Sequence, residues 1–105
     1  MAGERTLDRV LALLRELRGE LRRQGVLHAA VFGSVARKEE SPSSDVDIVI
    51  ELDPTQRSTL LTYVAIVAQL EALAVPLGRK IDVAQRRRLH PRVRPVAERD
   101  AVAAF

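Results

Sequence analysis

Two helical patterns separated by strand-like segments predict an α/β (α+β) fold for this 105-residue chain, a small mixed β-sheet covered by helices. Three observations carry that reading. Leu7, Val10, Leu11, Leu14, Leu17 and Leu21 recur at helical spacing with charged residues between them. Val26–Phe32 and Asp45–Leu52 are short, strand-like segments, the second alternating between two faces. Leu60, Leu61, Val64, Val67, Leu70, Leu73 and Ala74 then restore the helical period. The length suits one domain with one core, so residues 1–105 read as a single unit.

Taken in order, the first pattern predicts an amphipathic helix over about residues 6–23, with Thr6 as its cap. Gln24 and Gly25 end it, and VLHAAVF (26–32) reads as a buried strand. Gly33 and Ser34 turn the chain into a short helical segment, VARKEE (35–40), followed by the loop Ser41–Ser44. The second strand starts at Asp45 and sets Val46, Ile48 and Ile50 on one face, with Asp45, Asp47, Val49 and Glu51 on the other. Asp53-Pro54 breaks the chain before the second helix, which Pro76 and Gly78 close. A third strand, KIDVA, starts near Lys80, and a short terminal helix is expected in the tail beyond the prolines at 91 and 95.

Composition narrows the function classes. Apolar residues make up 47% but aromatic residues only 3%, so the core is built from Leu, Val, Ile and Ala. Base stacking on aromatic side chains is nearly unavailable, which argues against direct nucleic-acid binding. With no cysteine, disulfides, thiol catalysis and cysteine-ligated zinc are excluded. Neither a signal-peptide stretch nor a run near the ~20 apolar residues of a bilayer span stands out, so no membrane role is expected and a cytoplasmic location is the default. Residues 79–105 hold 8 basic and 3 acidic side chains, against 9 and 11 in residues 1–78. The basic surplus around Arg86, Arg87, Arg88, Arg92 and Arg94 is either a patch for phosphates or an acidic partner, or a solvated surface. His28 and His90 lack metal-ligand spacing and are given structural roles, and Tyr63 is expected to be partly buried.

The chemistry concentrates between Gly33 and Glu51. Asp45 and Asp47, two apart on a strand, are separated by roughly 7 Å along the backbone and project from one face. Nucleotidyl transfer needs positioning and charge neutralisation, which carboxylates provide by holding Mg²⁺ against phosphate oxygens. Asp82, between Ile81 and Val83 in the third strand, is awkward for a core position unless it faces a site. Mg²⁺ takes oxygen ligands, usually one or two carboxylates plus substrate phosphates, which suits this trio. Gly33 permits close backbone approach to a phosphate.

GSVAR (33–37) followed by SDVD (44–47) and a later strand acid resembles the signature of minimal nucleotidyltransferases, members of the superfamily related in fold to polymerase β. The similarity runs from Val26 to Val83. It implies transfer of a nucleoside monophosphate from a triphosphate, with Asp45, Asp47 and Asp82 as a catalytic triad that binds two Mg²⁺ ions. Asp45 and Asp47 would hold the metal bridging the triphosphate, and Asp82 would hold the second and orient or deprotonate the attacking hydroxyl. Gly33 and Ser34 would sit at the triphosphate of ATP, the substrate. Arg37 would neutralise phosphate charge or else pair with Glu39 or Glu40; Ser44 would bond a carboxylate or phosphate, or serve the loop alone. Glycine often follows that arginine in the family, where this chain has Lys38.

Small freestanding members resemble the antitoxins of HEPN/MNT toxin-antitoxin pairs, in which the enzyme attaches AMP to a tyrosine of the HEPN ribonuclease. That resemblance implies a HEPN toxin as partner and hetero-oligomer formation. Two alternatives stay open: an antitoxin acting by occlusion alone, and nucleotidyl transfer to a small molecule or an RNA end.

Overall fold

The computed structural model describes residues 5–56 and 59–105. The first helical pattern forms two helices, α1 (Thr6–Glu16) and α2 (Arg18–Arg23), rather than one. At Leu17 the backbone N–H reaches the carbonyls of both Leu13 (3.3 Å) and Leu14 (3.1 Å), a tightened last turn that ends α1. After the break, α2 brings Leu21 into the core, fully buried like Leu14. The residue flanking α1 is Arg5, not Thr6, and no side chain caps it.

β1 (Val26–Phe32) and β2 (Val46–Leu52) pair antiparallel, joined through the short helix α3 (Gly33–Ala36) and the serine loop. A register irregularity between Val26 and His28 lets Val26 and Ala29 both point inward while Leu27 and His28 are exposed. The strand thus begins at Val46, one residue after the expected Asp45, and the helical turn starts at Gly33 and ends at Ala36, ahead of the expected 35–40.

Thr59 caps α4 (Leu60–Glu71) by accepting the Thr62 N–H at 3.1 Å. A second short helix, α5 (Ala74–Leu77), follows, and Gly78 closes it at φ 64°. The chain then enters β3 (Ile81–Gln85), parallel to β2. Parallel neighbours need a crossover, and α4 with α5 is that crossover. By length and composition Leu60–Leu77 would also pass as a membrane-crossing helix, a stretch that counting apolar runs overlooks. Here Ile66, Leu70, Leu73 and Leu77 seal one side of it into the core, leaving the other side outward.

The tail forms the expected helix, α6 (Arg94–Asp100), and then an unexpected strand, β4 (Val102–Ala103), paired antiparallel to the free edge of β1. The sheet order is β3-β2-β1-β4. Two residues of AVAAF carry no periodic signal, so only their pairing with Ala30 and Val31 makes them a strand.

One sheet face, with Val31, Val46, Ile48 and Ile50 fully buried, packs on α1, α2, α4 and α5. Among the described residues no polar or charged residue is buried. The other face carries Asp47, Val49 and Glu51, with α6 across part of it. Arg86, in a single 3₁₀ turn (Arg86–Arg88), ties α6 to the sheet by 2.9 Å bonds to Glu51 and Glu98. Ile48 separates Asp47 from Val49 on the buried side, so Ile48→Ala is expected to lower unfolding free energy by about 2–4 kcal/mol, read by urea denaturation.

Candidate active site

The parallel register sets Asp82 of β3 directly beside Asp47 of β2. In-register neighbours present side chains to the same face, so the acid on the third strand joins the acid on the second. Asp45 lies just before β2, where the Val46 N–H already bonds the Lys80 carbonyl at 2.8 Å and extends the pairing toward the acids. On the other side, Phe32 pairs with Asp47, which puts the turn at Gly33 next to that carboxylate.

Gly33 is required twice over. Its φ is 75°, and a Cβ there would collide with Asp47 Oδ2. The glycine that turns the chain therefore also makes room for the acid.

Electrostatics at Asp47 reflect this crowding. Burial first, then the like charges of Asp82 and Asp45, push its carboxyl above the usual carboxylate range, and Arg37 opposes the shift. Among the described residues no three His, Cys, Asp or Glu side chains already close into a cation cage. The donor set nevertheless fits a hard divalent ion, since it offers oxygen alone and its mutual repulsion is what a cation relieves. Such an ion would complete its shell with phosphate oxygens and water.

Arg37, the family-motif arginine, donates to Glu39 (3.1 Å) and to Asp100 at the end of α6 (3.4 Å). The hydrogen bond it donates to Glu39, chiefly, raises its pKa further and keeps it charged. The pairing with Glu39 was legible in sequence, whereas Asp100, 63 residues away, was not. Lys38 has φ 61°, the one non-glycine residue with positive φ among the described residues. The loop thus keeps the backbone shape that glycine favours, at a cost of about 1–2 kcal/mol.

Ser34 sits half-buried in α3, beside the turn. Ser44 is turned into its own loop: its Oγ accepts the Ser41 N–H (2.9 Å) and lies 3.1 Å from the Ser41 hydroxyl. A residue that sequence reasoning missed, Arg79, holds the same loop by donating to the carbonyls of Ser41 (2.7 Å) and Ser44 (3.0 Å). A lone arginine before a strand carries no pattern that could have revealed this. Beyond the acids the same face continues into a cleft of about 280 Å³ under α6, lined by Ala30, Val49, Glu51, Arg86 and Ala97.

Two outcomes follow from this geometry. Gly33→Ala forces both a positive φ and a clash, so a loss of about 1–3 kcal/mol in stability is expected by thermal melting, with a displaced Asp47. For Asp47, a carboxyl with a raised folded pKa contributes most to stability below its unfolded pKa and loses that contribution as pH rises through the folded value. Asp47→Asn is therefore expected to raise Tm at neutral pH without divalent ions, read by thermal melts of the variant beside the parent protein. The gain should vanish at acid pH.

Comparison with known proteins agrees with this architecture. The nucleotidyltransferase domain family matches residues 14–104. A candidate protein adenylyltransferase of Methanocaldococcus jannaschii is 31% identical over 100 residues, covering 93% of this chain and 97% of its own. The protein adenylyltransferase MntA of Thermococcus cleftensis is 33% identical over 98 residues, covering 92% and 94%. Among solved structures, a candidate minimal nucleotidyltransferase superposes with a TM-score of 0.64 at 34% identity, covering 90% of this chain and 92% of that one. A complex of tri-AMPylated Shewanella oneidensis HEPN toxin with its MNT antitoxin gives 0.56 at 14% identity, covering 90% and 71%, a likeness of fold. With the family matched across most of its length and the acids on one face of the expected sheet, the chain belongs to the nucleotidyltransferase domain family.

Proposed function

We propose that this nucleotidyltransferase moves AMP from ATP, with Mg²⁺, to a hydroxyl of a partner protein, as the antitoxin of a HEPN ribonuclease toxin. The observation that carries the reading is the register that sets Asp82 beside Asp47, next to the Gly33 turn. The adenylyltransferase names of relatives above 30% identity support AMP as the group moved. The HEPN partner is supported by the solved toxin-antitoxin complex of a fold neighbour.

Mg²⁺ would neutralise the triphosphate and the crowded carboxylates together. Asp45 and Asp47 would hold it against the phosphates, with Asp82 as a further ligand. The Gly33 backbone and Ser34 would receive the β and γ phosphates at close range. Arg37, released from Glu39 or Asp100, would add positive charge there. Asp82 would orient the acceptor hydroxyl and take its proton as the oxygen attacks the α-phosphorus. The new P–O bond forms as the bond to the bridging oxygen breaks, and pyrophosphate leaves. Ser44 would act through the loop that positions Asp45. A site that depends on ATP suits the cytoplasm.

The test is intact-mass spectrometry of the cognate HEPN toxin after incubation with the protein, ATP and Mg²⁺. The toxin is expected to gain whole AMP residues and lose ribonuclease activity, with chelation abolishing both. Asp47→Asn and Asp82→Asn should each slow transfer by at least about 100-fold, the scale of a lost metal or base contact. Toxin silenced with no mass change would replace the reading by occlusion, and full transfer by either variant would remove that aspartate from the mechanism.

A further inference from the structure

Asp45 is the one member of the acid trio that lies outside the strands, just before Val46 opens β2. Strand pairing alone does not fix it, and the loop leading into it is held by little packing, since Ser41, Pro42 and Ser43 are exposed. That loop closes on itself through the Ser44 N–H to the Ser41 carbonyl (3.0 Å) and the Ser41 N–H to Ser44 Oγ (2.9 Å). Among the described residues, only two hydrogen bonds tie residues 41–44 to another part of the chain. Arg79 Nη1 donates both, to the carbonyls of Ser41 (2.7 Å) and Ser44 (3.0 Å), 38 and 35 positions away.

The placement of these bonds matters more than their number. Ser44 immediately precedes Asp45, and Val46 immediately follows it with its N–H on the Lys80 carbonyl at 2.8 Å. Asp45 is thus held from both sides, and both ties come from Arg79 and Lys80, the two residues that lead into Ile81 and Asp82 of β3. The segment that delivers Asp82 therefore also sets where Asp45 sits. Both donations leave from one guanidinium nitrogen, so a single point donor at that place is enough to hold the loop.

We infer that Arg79 is a positioning residue for the cation site: it fixes Asp45 against Asp82, so that a divalent ion meets the carboxylates already arranged. The inference rests on the proposed Mg²⁺-dependent transfer and gives its site a support standing behind the ligands. Its consequence has a sign that charge alone would reverse. A guanidinium bonded beside Asp45 repels a divalent cation, so deleting a residue that acted only through its field would strengthen cation binding. Deleting a clamp weakens binding, because Asp45 must then be ordered as the ion arrives.

Mn²⁺ shares the charge and oxygen preference of Mg²⁺, and its binding to the full chain is read by the fall of the free-ion electron paramagnetic resonance signal. With no nucleotide present, no phosphate contact of Arg79 enters the measurement. The parent protein is expected to bind Mn²⁺, and Asp47→Asn, which removes a ligand, to bind it far more weakly. Arg79→Met keeps an unbranched stem without a donor and should weaken binding by about 10–100-fold, the scale of a lost support behind metal ligands. Arg79→Lys, whose ammonium replaces Nη1 as a point donor, should bind nearly as tightly as the parent. Thermal melts without divalent ions check that each variant folds, and Arg79→Gln, whose shorter side chain stops before the loop, replaces Arg79→Met if that variant does not. Binding by the donor-less variant as tight as the parent's, or tighter, overturns the inference and leaves the proposed transfer standing. So does an equal loss in Arg79→Lys and Arg79→Met. A parent protein that binds no Mn²⁺ overturns the cation site itself, and the inference with it.

Discussion

The site depends on the register between β2 and β3. Parallel neighbours place paired residues on the same face, and the pairing of Asp47 with Asp82 converts two acids 35 positions apart in sequence into adjacent side chains. A slip of one residue would turn Asp82 toward the buried face and Ile81 toward solvent. The hydrophobic pattern guards against that slip, because Ile81 and Ile48 are both held in the core. The same parallel pairing demands a crossover, so the acid pair and the long apolar helix α4 are two consequences of one topology.

That register has an electrostatic cost. Carboxylates crowd Asp47 in a partly buried position, and the Gly33 turn leaves them room by carrying no side chain. Repulsion of this kind opposes folding, and a cation held there would relieve it. Arg37 compensates in part, and its bonds to Glu39 and Asp100 tether it at the loop and to the end of α6. The C-terminal segment thereby reaches the acid end of the sheet.

The basic surplus of the C-terminal residues also finds a structural use. Arg86 bridges Glu51 and Glu98, and Arg94 joins Glu98 at 3.3 Å, so part of that charge fastens α6 to the sheet. These pairs are exposed, and each contributes little alone. Their effect is geometric: α6 roofs the acid face and leads the chain to β4, which covers the β1 edge.

Local chemistry was legible because it depends on short spacing. The alternation Val46, Ile48, Ile50 against Asp47, Val49, Glu51 names the strand and both of its faces, and the Gly33 turn beside paired acids names the candidate site. Helical periodicity found α4, yet could not register the tightened turn at Leu17, because packing of Leu14 and Leu21 decides it. Likewise, no local pattern encodes the strand at Val102–Ala103, the Arg37–Asp100 contact or the grip of Arg79 on the serine loop. Each joins residues far apart in sequence, where geometry comes from the folded core rather than from neighbours along the chain. The residues therefore determined which side chains could do chemistry, and the tertiary fold decided which of them meet.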